Sequence, residues 1–500
     1  MKFCLHTPLP RFANALWDVL KLFYASDGFA VVATAPLSAE DVTKAQFTAT
    51  VPTDDMQTVD HTVWEQDGST VCRFVLQGKS AQRQAGIPAK ESDLVRRRML
   101  KRLCKMTLYD LCKQVTGKHP TWGALTGIRP TRLFYEQLAM GKDHAQAQAA
   151  LQTEFDVLPE KAALLSRIVA EQQALPQAGA KDWDVYIAIP FCPTRCTYCT
   201  FAGETIGARE RVAAYFTALE REMDATVALM AQNGARLRAL YIGGGTPVSP
   251  DDAMFAWLLE RITERFPNPL EFTVEAGRPD AMTANKLEAM RRAGVERICV
   301  NPQTMNETTL RRIGRGHSAE QVVTAFRMAR THGFAHINMD VIAGLPGETP
   351  QDFRYTMERL AELDPDSLTV HTLALKRGGR LNPAQTPLPP VAAVEAMVAI
   401  GAEAAGRMGM RPYYLYRQKY MAAQQQNVGY AKENKVCLYN MDIMEETATI
   451  LALGAGAISK RVLRVQDVRI KRAPNAGNVD VYSNNIGEMI RRKQRLFLEE

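Results

Sequence analysis

Val185-Tyr186-Ile187-Ala188-Ile189-Pro190-Phe191-Cys192-Pro193-Thr194-Arg195-Cys196-Thr197-Tyr198-Cys199 is a strand-like run that breaks at a proline into a loop carrying three cysteines. A loop bends freely, so thiols spaced four and three apart can converge on one point, whereas a helix would spread them over different faces. Three thiolates hold three corners of a four-iron cluster and leave the fourth iron open to a small ligand. The residues alone admit two other readings: zinc, which normally takes a fourth protein ligand, and three unrelated packed thiols. The eight histidines lie far from the loop in sequence, which favours the cluster.

Outward from this run, strand and helix patterns alternate six times. Strands are expected at Val185–Ile189, Ala239–Ile242, Glu271–Glu275, Arg297–Val300, His336–Ile342 and Ser367–His371. Between the first two, Val212, Tyr215, Phe216, Leu219, Met223, Val227 and Met230 recur at helical spacing, and similar helices are expected at Asp251–Arg265, Thr283–Arg292, Ala319–His332 and Pro350–Leu363. Serial βα units give a parallel sheet, here a partly closed barrel, with functional residues at the carboxyl ends of the strands. The cysteines follow the first strand, Gly243-Gly244-Gly245-Thr246-Pro247 follows the second, and Glu275 ends the third. Glycines there let backbone approach a ligand, although a tight strand-to-helix turn uses the same residues. Gln303, Arg315 and Asp340 fall at the fourth and fifth units, and Gly344-Leu345-Pro346-Gly347 is expected beside the same site.

The flanks differ in texture. Residues 1–175 read as an α+β domain: a helix over Pro10–Tyr24, strands at Gly28–Thr34, His61–Trp64 and Val71–Val75, and a helix over Leu94–Val115 with six basic residues from Arg96 to Lys105, read as a solvated face. The block Trp122–Leu133 reads as a fixed turn, presenting arginine to an acidic ligand or packing between domains. The prolines from Pro383 to Pro390 mark a boundary between a core at 176–382 and a covering domain at 383–500, with a helix over Val391–Met408 and strands around Val462–Ile470 and Val479–Tyr482.

Composition sets the outer limits. At 500 residues and 46% hydrophobic the chain can bury a large core, and its other six cysteines, without a repeated spacing, do not form a disulfide framework. No stretch reads as a secretory leader or membrane span, so a cytoplasmic protein is expected. A net charge of +7 suits an acidic small molecule, and nucleic acid is not the expected partner.

The cysteine loop, with an aromatic before its last cysteine, resembles the signature of radical S-adenosylmethionine (SAM) enzymes. Tyr186–Cys192, Gly243–Pro247, Gln303, Gly314–Ser318 and Asp340–Gly347 together resemble the oxygen-independent coproporphyrinogen-oxidase-like branch of that superfamily. Trp122–Leu133, Arg411–Lys419 and Asn427–Tyr430 are similar to its HemZ-type subgroup. The resemblance implies a partial (β/α)6 barrel in an α/β fold, with a [4Fe-4S] cluster on Cys192, Cys196 and Cys199 and SAM on the open iron. It places Gly244, Gly245 and Glu275 along the methionine part, with Thr246 also cofactor-binding, Gln303, Arg315 and Asp340 at a second SAM or the substrate, and Tyr186 beside the cluster; Tyr186, Arg315 and Asp340 are the catalytic candidates.

The implied reaction is decarboxylation of coproporphyrinogen III to protoporphyrinogen IX through a 5'-deoxyadenosyl radical in haem biosynthesis. Another radical reaction on a tetrapyrrole and a haem-binding or haem-transfer role are the alternatives. Implied partners are an anionic tetrapyrrole and a low-potential electron donor such as flavodoxin or ferredoxin. Arg315, Arg377, Arg380, Arg411, Arg417 and Lys419 are the candidate cations for the tetrapyrrole, with Tyr413, Tyr414 and Tyr416 against its rings. The chain departs from the oxidase pattern at Ala188, Phe201 and His371, where those enzymes usually carry His, Cys and a nearby Tyr.

Overall fold

The computed structural model describes residues 1–25, 28–35, 53, 55–88, 90–127, 129–201, 203–375, 379, 381, 386–418, 421–464 and 468–498. The chain forms two compact units, Met1–Gly127 with Glu136–Ser166, and Ile128–Tyr135 with Arg167–Glu500.

The first unit holds a five-stranded sheet of β1 (Lys2–Thr7), β2 (Gly28–Ala33), β3 (Met56–Gln66), β4 (Ser69–Leu76) and β5 (Lys79–Ala85), in the order β2-β1-β3-β4-β5. The helix Ala13–Phe23 connects the parallel pair β1 and β2. Asp67 and Gly68 both take positive φ, the turn that matches the twist of the β3–β4 hairpin. The helix Asp93–Thr116 packs on β4 and β5; Ser92 accepts from Val95 N at its start and left-handed Gly117 ends it. Its buried side carries Leu103, Cys104, Thr107, Leu108 and Leu111, while Arg96, Arg98 and Lys101 stay exposed.

The second unit is built on one eleven-stranded sheet. Its strands are β6 (Asp182–Ile189), β9 (Arg236–Gly244), β10 (Glu271–Gly277), β11 (Arg297–Val300), β12 (His336–Ala343), β13 (Ser367–Thr372), β14 (Arg411–Tyr416), β15 (Asn427–Ala431), β16 (Thr449–Leu453), β17 (Ile458–Arg464) and β18 (Val468–Pro474), while β7 (Phe191–Cys192) and β8 (Glu204–Thr205) pair separately. The order is β14-β15-β13-β12-β11-β10-β9-β6-β16-β17-β18, and β6 to β13 run parallel. Parallel strands covered on both faces carry near-continuous apolar runs: every residue from Ala239 to Gly243 is buried, and charged Arg238 before them is paired with Asp442 at 2.8 Å. The crossover helices Asp252–Arg265, Ala284–Arg292, Ala319–Thr331 and Pro350–Leu363 each start at a side-chain cap, from Asp251, Thr283, Ser318 and Thr349.

The C-terminal stretch adds strands to both edges of this sheet: β15 pairs antiparallel with β13, and β16 runs parallel beside β6. The position between Asn382 and Pro383, expected as a boundary, lies outside the described residues. Val479–Tyr482 is not a strand. It begins the helix Val479–Asn484, whose N-terminus Asn478 caps and which buries Val479 and Tyr482, three apart on one helical face. Among the described residues no helix is long and apolar enough to cross a membrane.

Candidate active site

The carboxyl ends of β6, β9, β10, β11, β12 and β13 surround a cavity of about 700 Å³. Tyr186, Cys192, Cys196, Cys199, Gly244, Gly245, Thr246, Glu275, Gln303, Arg315 and Asp340 all line it. Topology assembles residues spread over more than 150 positions, because each stands where its strand stops.

The glycine run holds the cysteine loop. Gly245 N donates to Ile189 O at 2.9 Å, Thr246 N to Phe191 O at 2.7 Å, and the Thr246 hydroxyl lies 3.6 Å from Cys192 Sγ. A Cβ on Gly245 would sit 2.7 Å from Phe191 O and 2.9 Å from Cys192 Sγ, so no side chain fits there. On the other flank, Thr197 N donates to Ile313 O, and Arg278 donates to Thr194 O and Oγ1 while paired with Asp280. Burial, followed by the charge of Cys196, raises the Cys192 thiol. Burial also raises Cys199, with Cys196 and Cys192 adding to the effect against the Phe201 backbone donor. Cys192 and Cys199 thus resist ionising, a cost that a cationic centre such as an iron–sulfur cluster offsets when it binds thiolates.

Opposite the loop stand two carboxylates. Tyr241 donates to Glu275 Oε1 at 2.5 Å; burial nevertheless pushes Glu275 up to about 7, with Asp340 adding to the rise. Burial acts on Asp340 in the same sense, but His371 and the Asn338 and Thr369 side chains outweigh it and hold Asp340 below its ordinary value. Asn338 Nδ2 donates to Asp340 Oδ1 at 2.8 Å, and His371 Nε2 lies 3.7 Å from Oδ2. Gln303 takes a left-handed φ of 68° and exchanges backbone bonds with Asp340 and Ile342, which fixes its side chain at the cavity. Arg315 donates to Tyr198 OH at 2.9 Å, yet its buried Nε, like Asn301 Oδ1, finds no hydrogen-bond partner among the described residues. Such polar atoms on a cavity wall suit a polar ligand.

Other expectations distribute differently. Tyr414 and Tyr416 line the cavity, while Tyr413 is buried behind them, edge-on to Tyr414. Arg411 is exposed beside Glu171, and neither it nor buried Arg417 lines the cavity. Arg377, Arg380 and Lys419 lie outside the described residues. Arg129 and Arg132 face Glu446, at 3.2 and 3.9 Å, so these arginines serve internal pairing. The Gly344–Gly347 loop, expected beside the site, does not line the cavity: Gly344 sits against Val394 and Gly347 against Arg312.

Sequence reasoning missed Tyr241, Tyr439, Arg278 and Asn301 as cavity residues. Tyr439 stacks on Tyr241 at 4.3 Å and on Tyr186 at 5.9 Å. Asn301, directly after β11, was open to the strand-end argument already used for Glu275; the tyrosines carried no such signal.

The radical SAM superfamily model matches residues 186–360. The oxygen-independent coproporphyrinogen-III oxidase-like protein HemZ of Bacillus subtilis (strain 168) is 39% identical over 364 residues, covering 71% of this chain and 73% of that protein. The chain belongs to the radical SAM superfamily, in its HemZ- and HemN-related branch. Heme chaperone HemW of the same organism is 36% identical over 194 residues, 38% of this chain and 50% of HemW. The solved Escherichia coli coproporphyrinogen III oxidase HemN has a TM-score of 0.51 at 24% identity, covering 64% of this chain and 73% of HemN, and it supports the fold. A radical SAM protein of this branch is an oxidoreductase-type enzyme, and membership implies SAM and an iron–sulfur cluster.

Proposed function

We propose that this chain catalyses the oxygen-independent oxidative decarboxylation of coproporphyrinogen III to protoporphyrinogen IX, with a [4Fe-4S] cluster on Cys192, Cys196 and Cys199. The observation that carries the reading is one cavity joining the cysteine loop, two carboxylates of opposite tendency, Arg315 and a tyrosine wall. The likeness to HemZ along most of both chains supports the substrate class.

When bound on Cys192, Cys196 and Cys199, a reduced cluster with SAM would supply a 5'-deoxyadenosyl radical able to take one hydrogen atom from a substrate propionate; loss of carbon dioxide to leave a vinyl group would then release one electron to an external one-electron acceptor. The protein's work is placement. Ionised Glu275 accepts the SAM ammonium, and the glycine edge lets its methionine part approach. Arg315, with an unfilled donor, and Lys460, whose ammonium burial lowers to about 8, bind propionates. Tyr186, Tyr241 and Tyr439 offer ring faces to the macrocycle, and the Asp340–His371 pair fixes the imidazole toward the cavity.

Anaerobic incubation of cluster-reconstituted protein with SAM, reductant and coproporphyrinogen III tests this. The expected product lacks two carboxyl groups. Cofactor cleavage without decarboxylation refutes it in favour of another tetrapyrrole reaction. Tight haem binding with no cofactor cleavage refutes it in favour of haem transfer, the reading the likeness to HemW supports.

A further inference from the structure

We infer that the first unit binds one zinc(II) ion through His61, Cys72 and Cys104, separately from the cysteine loop of the second unit. Their ligand atoms lie within 4.8 Å of one another, and the residues are 2%, 0% and 0% exposed. Three elements bring them together: His61 stands on β3, Cys72 on β4, and Cys104 on the helix Asp93–Thr116 that covers the hairpin.

The imidazole is already oriented as a ligand. Its Nδ1 lies 2.8 Å from Thr7 Oγ1, which also accepts from Leu9 N at 3.0 Å, and its ring stacks on Phe74 at 4.1 Å. Nε2 is thereby turned to the sulfurs, 3.3 Å from Cys72 Sγ. A metal-bound histidine commonly has its other nitrogen held by an oxygen partner in this way.

The spacing suits a single ion. Zinc bonds of roughly 2.0–2.3 Å in tetrahedral array put ligand atoms about 3.5–4 Å apart. Charge selects among thiophilic metals: two thiolates and a neutral imidazole balance a divalent cation, so the assembled site adds no net charge to the core, whereas a monovalent ion leaves one negative charge buried. One water would supply a neutral oxygen for the fourth position. The ion would tie the β3–β4 hairpin to its covering helix.

The test uses the full chain with Cys192, Cys196 and Cys199 replaced by alanine, which removes the competing thiols. Expressed with zinc and dialysed, it should retain about one zinc per chain, and adding Cys72→Ser and Cys104→Ser should remove more than about nine-tenths of it. Zinc-edge X-ray absorption on the chain with His61, Cys72 and Cys104 intact should show two sulfurs and one imidazole, a readout that does not depend on those serine variants folding. A folded zinc-free chain, a shell of oxygen and nitrogen only, or zinc kept after both serine substitutions overturns the assignment.

Discussion

Replacing Glu275 by glutamine separates what its charge contributes to binding from what it costs the fold. Glu275 has an ordinary value of 4.5 and is pushed up to about 7 in the cavity. With that value the carboxylate is about one-tenth ionised at pH 6 and nine-tenths at pH 8. If the anion receives the SAM ammonium, affinity for SAM rises about tenfold over that range in the parent protein. Glu275→Gln removes one charge-assisted hydrogen bond, about 1.5–3 kcal/mol, so at pH 8 it binds SAM about 10- to 150-fold more weakly, with most of the pH slope gone. Stability moves oppositely. The folded carboxyl keeps its proton to about 7 and the unfolded one only to 4.5, so the folded state binds more protons between them and loses up to about 3 kcal/mol as pH rises through that window. Glutamine bears no such penalty, so the cofactor-free variant is the more stable protein at pH 8, and its advantage fades toward pH 4.5. Glu348, also raised to about 7 by burial, gives both proteins a common slope, so the difference between them is the quantity to follow. Calorimetric SAM titration at matched iron content and urea denaturation across pH check both arms. Equal affinity of the two proteins at pH 8, or parallel pH profiles, refutes the role given to this carboxylate.

Gly245→Ala drives a methyl group onto Phe191 O and Cys192 Sγ, so iron and sulfide per chain should fall to a small fraction of the parent value after anaerobic reconstitution. Asp340→Asn should keep iron content while lowering product formation about tenfold or more; Arg315→Met also removes the bond to Tyr198 OH between Cys196 and Cys199, so its similar loss of product is read at matched iron content, and a loss of iron equal to the loss of product would reassign either residue to cluster support. Lys493→Met should destabilise the second unit by about 3 kcal/mol in urea at neutral pH, because Lys493 and Glu222 are paired at 2.8 Å with side chains 4% and 0% exposed, and a buried carboxylate is left without its cation.

The six parallel strands were legible because burial on both faces forces uninterrupted apolar runs such as Ala239–Ile242, and because the helices between them are amphipathic. Of the cavity residues, the cysteines, Gly244, Gly245, Glu275, Gln303 and Asp340 followed from one rule about where parallel strands end, whereas Tyr241 and Tyr439 did not. Sheet order beyond the repeats was not legible: nothing in Thr449–Leu453 says that this strand lies beside β6, more than 250 residues earlier. The strand reading of Val479–Tyr482 failed because a short apolar run reads alike in a strand and in a capped helix, and Asn478 decides between them.

The tyrosine wall shows how a distant charge shapes the site without touching it. Glu271 begins β10, at the end of the strand opposite Glu275, and its carboxylate accepts from Cys437 Sγ, Leu438 N and Tyr439 N. Those backbone donors open the helix Leu438–Glu445, where a negative group is favoured by the helix dipole. Arg297, bonded to the carbonyls of Lys435 and Val436, holds the approach to the same turn. Tyr439 is thereby delivered onto Tyr241, whose hydroxyl holds Glu275. One strand therefore carries both a cavity carboxylate and, at its other end, the anchor for the ring above it, a coupling that only the folded sheet creates.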